Sequence, residues 1–239
     1  MMEKHLAEIT KAAKRILDTV PPGVTVVAAA KGRTSAEIEA AIEAGITCVG
    51  HNYVQDAQRT IPSLRAKVRW HMIGHLQRNK ITKAIRLFDV IETLDSIRLA
   101  QALNEHCAAL DIVMPVLIEI NSGREPTKTG ILPEEIGDLL PVLVELKHIQ
   151  VQGVMTMGPR FGNPEQARPY FQATREAFKT LSACKMPNIT VRYLSMGMSN
   201  TYHIAIEEGA NIVRIGSAIF GRCSEQPPDA SIAQTHTGQ

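Results

Sequence analysis

Apolar positions along this chain alternate between two rhythms. Leu6, Ile9, Ala13, Ile16 and Leu17 recur at helical spacing, which predicts a helix over residues 3–19. Pro21, Pro22 and Gly23 end it. A short Val- and Ala-rich run follows at 24–30, and after Lys31 a second helical pattern covers 34–44. The same unit then repeats. Apolar runs at 46–50, 69–73, 88–91 and 113–120 precede helical patterns at 53–66, 76–87, 96–109 and 133–146. Runs at 151–155 and 190–194 precede helical patterns at 164–181 and 200–208. A last run at 212–215 is trailed by a short turn at 217–220.

Eight strand candidates therefore alternate with helices. Short links between such units indicate a parallel sheet, and eight units predict closure into a single (β/α)8 TIM barrel. An open doubly wound sheet is the rival arrangement. Punctuation supports the parse. Ser96 and Ser199 offer capping oxygens, Pro133 suits a first helical turn, and Gly45 and Gly209 suit left-handed helix ends. No linker divides the chain. The barrel with its N-terminal helix is expected over 1–222, and the Pro-, Ser- and Gln-rich stretch 223–239 reads as a disordered tail.

Composition narrows the picture. Hydrophobic residues make up 44% but aromatics only 4%, so the core must be aliphatic, as in strands buried on both faces. A formal charge of +2 argues against a dedicated nucleic-acid binder. The four cysteines, Cys48, Cys107, Cys184 and Cys223, are scattered, which excludes a C-x-x-C zinc ribbon and reads as free thiols in a reducing compartment. No apolar run is long enough to span a bilayer, and the N-terminus lacks a signal-peptide core. The expectation is a soluble cytoplasmic protein with neither nucleic-acid nor membrane partners.

Chemistry in such a barrel belongs at the C-terminal ends of the strands. Lys31 stands there after the first run. It is either a desolvated amine able to attack a carbonyl or a lysine whose head reaches solvent. Ser195, Gly197 and Ser199 follow the seventh run, while Gly216 and Ser217 follow the eighth. Glycine backbone and serine hydroxyls in those two loops suit a phosphate, or form two ordinary capped turns. Arg214, inside the eighth run, needs a partner, either a ring nitrogen or a carboxylate. His71 and His75 have H-x-x-x-H spacing, but they straddle a turn without an adjacent acid, so a metal site is not expected.

Read together, the segments VAAAKGRT, GHNYVQD, WHMIGHLQRNK, NSGREPTKTG, GVMTMG, LSMGMSN and VRIGSAIFG are similar to the pyridoxal-phosphate homeostasis family. That family is also called the proline synthase co-transcribed family. Its barrel looks like the N-terminal domain of alanine racemase. The resemblance runs in order over about residues 24–222. It implies a Schiff base between pyridoxal 5′-phosphate and Lys31, with Asn52 close to the cofactor. It implies phosphate contacts at Ser195, Gly216 and Ser217, and Arg214 facing the pyridine nitrogen. Three positions depart from the family pattern: Ala30 replaces serine, His51 replaces glutamate, and Ser217 replaces threonine.

The resemblance further implies a role in vitamin B6 and amino-acid homeostasis without robust catalysis, in a monomer. Pyridoxal-phosphate-dependent apoenzymes and amino acids are its candidate partners. A racemase of this kind also needs a tyrosine from a second, β-rich domain, which this chain is expected to lack. Two enzymes stand as alternatives. One is a pyridoxal-phosphate racemase or lyase with Lys31 as base and Tyr53, His71 or His203 opposite. The other is a cofactor-free Schiff-base aldolase acting on a sugar phosphate.

Overall fold

The computed structural model describes residues 2–64, 68–158 and 162–221. The tail expected over 223–239 and part of the helix expected over 53–66 lie outside the described residues. Eight parallel strands close into a barrel in chain order: β1 (Thr25–Ala29), β2 (Cys48–His51), β3 (Arg69–Met72), β4 (Val90–Leu94), β5 (Met114–Glu119), β6 (Ile149–Met155), β7 (Ile189–Ser195) and β8 (Ile212–Ile215). β8 closes the ring by pairing with β1, with Val27 opposite Arg214 and Ala28 opposite Ile215.

Nine helices accompany the strands among the described residues. They are α1 (Met2–Thr19), α2 (Ser35–Glu43), α3 (Val54–Thr60), α4 (Ile81–Leu87), α5 (Ile97–Ala108), α6 (Ile136–Leu143), α7 (Arg168–Ser182), α8 (Tyr202–Glu207) and α9 (Ser217–Phe220). α1 packs on α2 and α9 through Ile9, Ala13 and Ile16. No helix among the described residues is long and apolar enough to cross a membrane.

Side chains alternate between two cores because successive strand residues point to opposite faces. Val26, Ala28, Val49, Met72, Ile91, Val116, Ile118, Val154 and Val213 pack outward against the helices. Inside the barrel, Val27, Cys48, Ile73 and Ile212 form one cluster, while Val90, Leu117 and Met155 form another. Tyr193 packs against both. At Gly153 (φ +155°) the wall is tightest, since a Cβ there would lie 1.8 Å from the Tyr193 carbonyl oxygen.

Several expected boundaries shift for local reasons. β4 begins at Val90 rather than at 88, because Phe88 caps α4, its N–H still bonding the Ala84 carbonyl, and Asp89 makes the link to the strand. The long helices expected at 76–87 and 133–146 are split, each opening with a 3₁₀ turn, at Arg78–Lys80 and Pro133–Glu135. α8 starts later than expected because Met198 N–H bonds the Thr201 hydroxyl, making Thr201 the residue that precedes the helix.

Candidate functional site

The upper mouth of the barrel, at the C-terminal strand ends, is organised by backbone. Lys31 follows β1 in an exposed turn completed by Gly32 (φ +66°), and its Nζ lies 5.7 Å from the Tyr53 ring centroid. That contact is a cation–π arrangement. The segment after Lys31 is pinned by a capping box: Thr34 Oγ1 accepts from Glu37 N–H, and Glu37 Oε2 accepts from Thr34 N–H at 2.8 Å. Burial alone raises the Glu37 pKa. The bonds from Thr34, His5 and Arg33 outweigh it and hold the carboxyl down at about 2.

The half-buried Asn52 follows β2, and its backbone lies so close to Gly74 that a Cβ on Gly74 would sit 2.3 Å from the Asn52 carbonyl oxygen. The last two loops are tied to each other and to β1. Arg214 N–H donates to the Gly197 carbonyl, and Ser199 Oγ accepts from Ala218 N–H at 3.2 Å. Ser199 therefore holds the start of α9, not α8. Gly197 (φ +91°) has no room for a side chain, since a Cβ would be 2.6 Å from that of Ala205. Gly216 lies against the end of β1, where an added Cβ would be 3.3 Å from the Ala29 carbonyl oxygen. Ser217 beside it is exposed. Adjacent strand ends thus put Lys31 and the Gly216–Ser217 pair side by side.

Beneath this mouth a polar column fills the barrel axis. Arg214 donates to Ser195 Oγ and to the Thr156 carbonyl, both at 2.6 Å. Ser195 Oγ donates to Glu92 Oε2 at 2.6 Å, and His71 Nδ1 reaches Glu92 Oε1 at 2.6 Å. Glu92 and Ser195 are completely buried, and Arg214 and His71 nearly so. Burial raises the Glu92 pKa, but His71, the Arg214 charge and the Ser195 hydroxyl overcome it and leave the carboxyl below its usual range. Burial would likewise lower His71. Its neighbours Cys48 and Glu92 reverse that and push the imidazole up to about 9. Burial lowers the Arg214 pKa against the pull of Glu92 and Glu119, yet a guanidinium stays charged. Glu119, at the end of β5, is pushed up by burial and by Asp95.

Lys31, Asn52, Gly216 and Ser217 are thus at the upper mouth, with Ser195 and Arg214 in the column below. Ser195 already serves Glu92 and Arg214. Among the candidate opposing groups, Tyr53 stands beside Lys31. His71 lies deep in the column, and His203 is exposed on α8 with its ring against Tyr202. His71 and His75 serve separate carboxylates, Glu92 and Asp95. Two of the positions that depart from the family pattern face the outer layer. His51 stacks on Trp70 at 5.8 Å and bonds Thr60, and burial lowers its pKa to about 4, while Ala30 packs in the outer core.

Sequence reasoning missed Glu92 and Glu119. The available signal was parity, because Glu92 shares a face with inward Val90.

The model for the alanine racemase N-terminal domain matches residues 4–224. A pyridoxal phosphate homeostasis protein of Aquifex aeolicus is 40% identical over 178 residues, covering 74% of this chain and 77% of the relative. The chain belongs to the pyridoxal phosphate homeostasis protein family. Family members from Haemophilus influenzae (35% identity; 83% of this chain, 84% of the relative) and Schizosaccharomyces pombe (32%; 88% and 89%) agree. Among solved structures, PipY of Synechococcus elongatus with pyridoxal phosphate bound superposes with a TM-score of 0.81 at 29% identity, covering 89% of this chain and all of that one. An alanine racemase of Clostridium difficile (TM-score 0.66, 16% identity; 93% of this chain, 57% of that one) shares the fold.

Proposed function

We propose that this family member binds pyridoxal 5′-phosphate at its upper mouth as a Schiff base on Lys31. On this reading it serves vitamin B6 and amino-acid homeostasis as a binding protein rather than as an enzyme. The observation that carries the reading is the adjacency of the β1 and β8 ends. It sets an amine (Lys31), a glycine backbone open to an anion (Gly216) and a hydroxyl (Ser217) side by side, with the Arg214 guanidinium one pleat below. These residues fit the cofactor: the amine suits its aldehyde, the loop its phosphate, and the guanidinium its ring nitrogen. Asn52 lies on the flank formed by β2.

When bound, the cofactor supplies an aldehyde and a pyridine ring that can draw electrons from an attached carbon. Arg214 would offer that ring a hydrogen bond while holding its own proton, which would leave the nitrogen unprotonated and electron withdrawal weak. Glu92 and Ser195 hold the guanidinium in place. Tyr53 and Lys31 lie together, whereas racemisation needs groups on opposite sides. The free cysteines Cys48, Cys107 and Cys184 support a reducing, cytoplasmic setting. We place the protein there as a monomer. Amino acids and apoenzymes that require the cofactor are its proposed partners.

The test is a visible spectrum of the purified protein, with and without borohydride, beside Lys31→Ala. A yellow band that reduction removes and Lys31→Ala lacks, with the reduced adduct mapped to Lys31, supports the reading. A protein that stays colourless with added cofactor overturns it. Exchange of the α-hydrogen of free amino acids above buffer would overturn the non-catalytic part.

A further inference from the structure

A cavity of about 720 Å³ opens at the opposite end of the barrel from Lys31. Thr25, Cys48, Arg69, Val90 and Ile212, each the first residue of its strand, line it, which identifies it as the lower mouth. Its size is that of a ligand pocket. The N-terminal face of such barrels ordinarily serves packing and stability, so an open cavity there is unexpected.

His71 lines this cavity and is 3% exposed. Its Nδ1 is committed to Glu92, while its buried Nε2 has no hydrogen-bond partner among the described residues. The Cys48 thiol is near enough to help raise the ring's pKa, but no hydrogen bond closes to Nε2. The ring is therefore an imidazolium at neutral pH with a second N–H that lacks an acceptor, a costly state when buried. Arg69 stands exposed at the rim. Asp89, also on the rim, spends a carboxylate oxygen on Trp70 N–H at 2.7 Å. Between floor and rim, Val90, Ile212 and the Tyr193 ring form an apolar wall. The buried column adds to the pull on an anion, because His71 and Arg214 are cationic and Glu92 answers only one charge, while Glu119 is pushed toward its neutral form.

We propose that the lower mouth is a second ligand site, which takes a small monocarboxylate with an apolar tail. The carboxylate pairs with Arg69 at the rim, above the buried positive charge of His71, and the tail lies along Val90 and Ile212. This site is separate from the upper mouth and does not depend on the cofactor reading.

The experiment is a titration of the cofactor-treated protein with butyrate and with inorganic phosphate, followed by calorimetry and by the His71 imidazole resonances in ¹H–¹⁵N NMR. Those resonances report the lower mouth whether or not the upper one holds pyridoxal phosphate, so failure of one reading is distinguishable from failure of the other. Butyrate is expected to bind saturably and to shift the His71 signals. Arg69→Glu, at an exposed rim position that leaves the column intact, is expected to weaken butyrate about tenfold or more while preserving the melting temperature. His71→Gln, which removes the buried charge beneath the ligand, is expected to weaken butyrate binding as well. Absence of saturable butyrate binding overturns the proposal. So does phosphate binding with butyrate silent, or an unchanged butyrate affinity in Arg69→Glu.

Discussion

The two mouths of this barrel are built from different materials. The upper one is made of backbone: glycines at 197 and 216, a capping box behind Lys31, and loops laced by main-chain bonds. The lower one is made of side chains that stop short of the axis and leave about 720 Å³ between them. On the proposed reading, the difference teaches that cavity size and cofactor chemistry need not coincide. A phosphate needs N–H groups at close range, which glycine backbone supplies without a large void. An organic acid needs a volume with a charged floor, which only side chains supply.

Substitutions can break this contrast, beginning with the column that separates the mouths. Glu92→Ala leaves His71 and Arg214 facing each other's surroundings without their shared carboxylate. It is expected to cost about 3–5 kcal/mol in urea denaturation. A midpoint close to wild type would mean that the column does not hold the barrel together.

The second largest effect depends on pH. In the folded protein the His71 imidazole is pushed up to about 9 from its ordinary 6.5. The sign follows from linkage: a raised folded pKa gives stability that is fully present below 6.5 and lost as pH rises through about 9. The contribution is on the order of 3 kcal/mol. The stability gap between wild type and His71→Gln should therefore shrink across that window, as followed by denaturation at successive pH values. A gap that widens with pH would reverse the charge assignment of the ring.

Smaller effects belong to the upper mouth. Thr34→Ala removes a capping oxygen and is expected to cost about 1 kcal/mol by thermal denaturation. The emission of Trp70, near the lower mouth, should stay unchanged in the folded variant. Gly216→Ala should have the least effect on stability, under about 1 kcal/mol. Its φ of −108° suits any residue, and the added methyl would press only on the Ala29 carbonyl oxygen, at 3.3 Å. Cofactor retention on gel filtration is nonetheless expected to fall, because the methyl group stands where the backbone would meet the phosphate. Full retention would remove Gly216 from the proposed cradle.

The fold was legible because each strand is a compact apolar run and each helix carries its own period. The positions of Lys31, Gly216 and Ser217 at the upper mouth were legible because each follows such a run at a strand's C-terminal end. The column was not. Glu92 sits in the apolar stretch Val90–Leu94, and only the inward parity it shares with Val90 marks it. His71 drew notice for its spacing to His75, yet the two rings end on different carboxylates because a strand end and a turn separate them. Ser199 looked like the cap of the helix next to it in sequence, but spatial proximity gave it to α9. The lower cavity has no local signature, because it arises where the first residues of separate strands fail to meet.

One consequence follows from the buried column. Ser195, Glu92 and Arg214 occupy the space between the two mouths, each at 3% exposure or less. The barrel is therefore closed as a conduit, and nothing taken in at one end travels to the other. It is not closed to electric fields, which pass through a low-dielectric interior with little screening. A charge placed at the bottom would therefore be felt by groups at the top without any strand having to move.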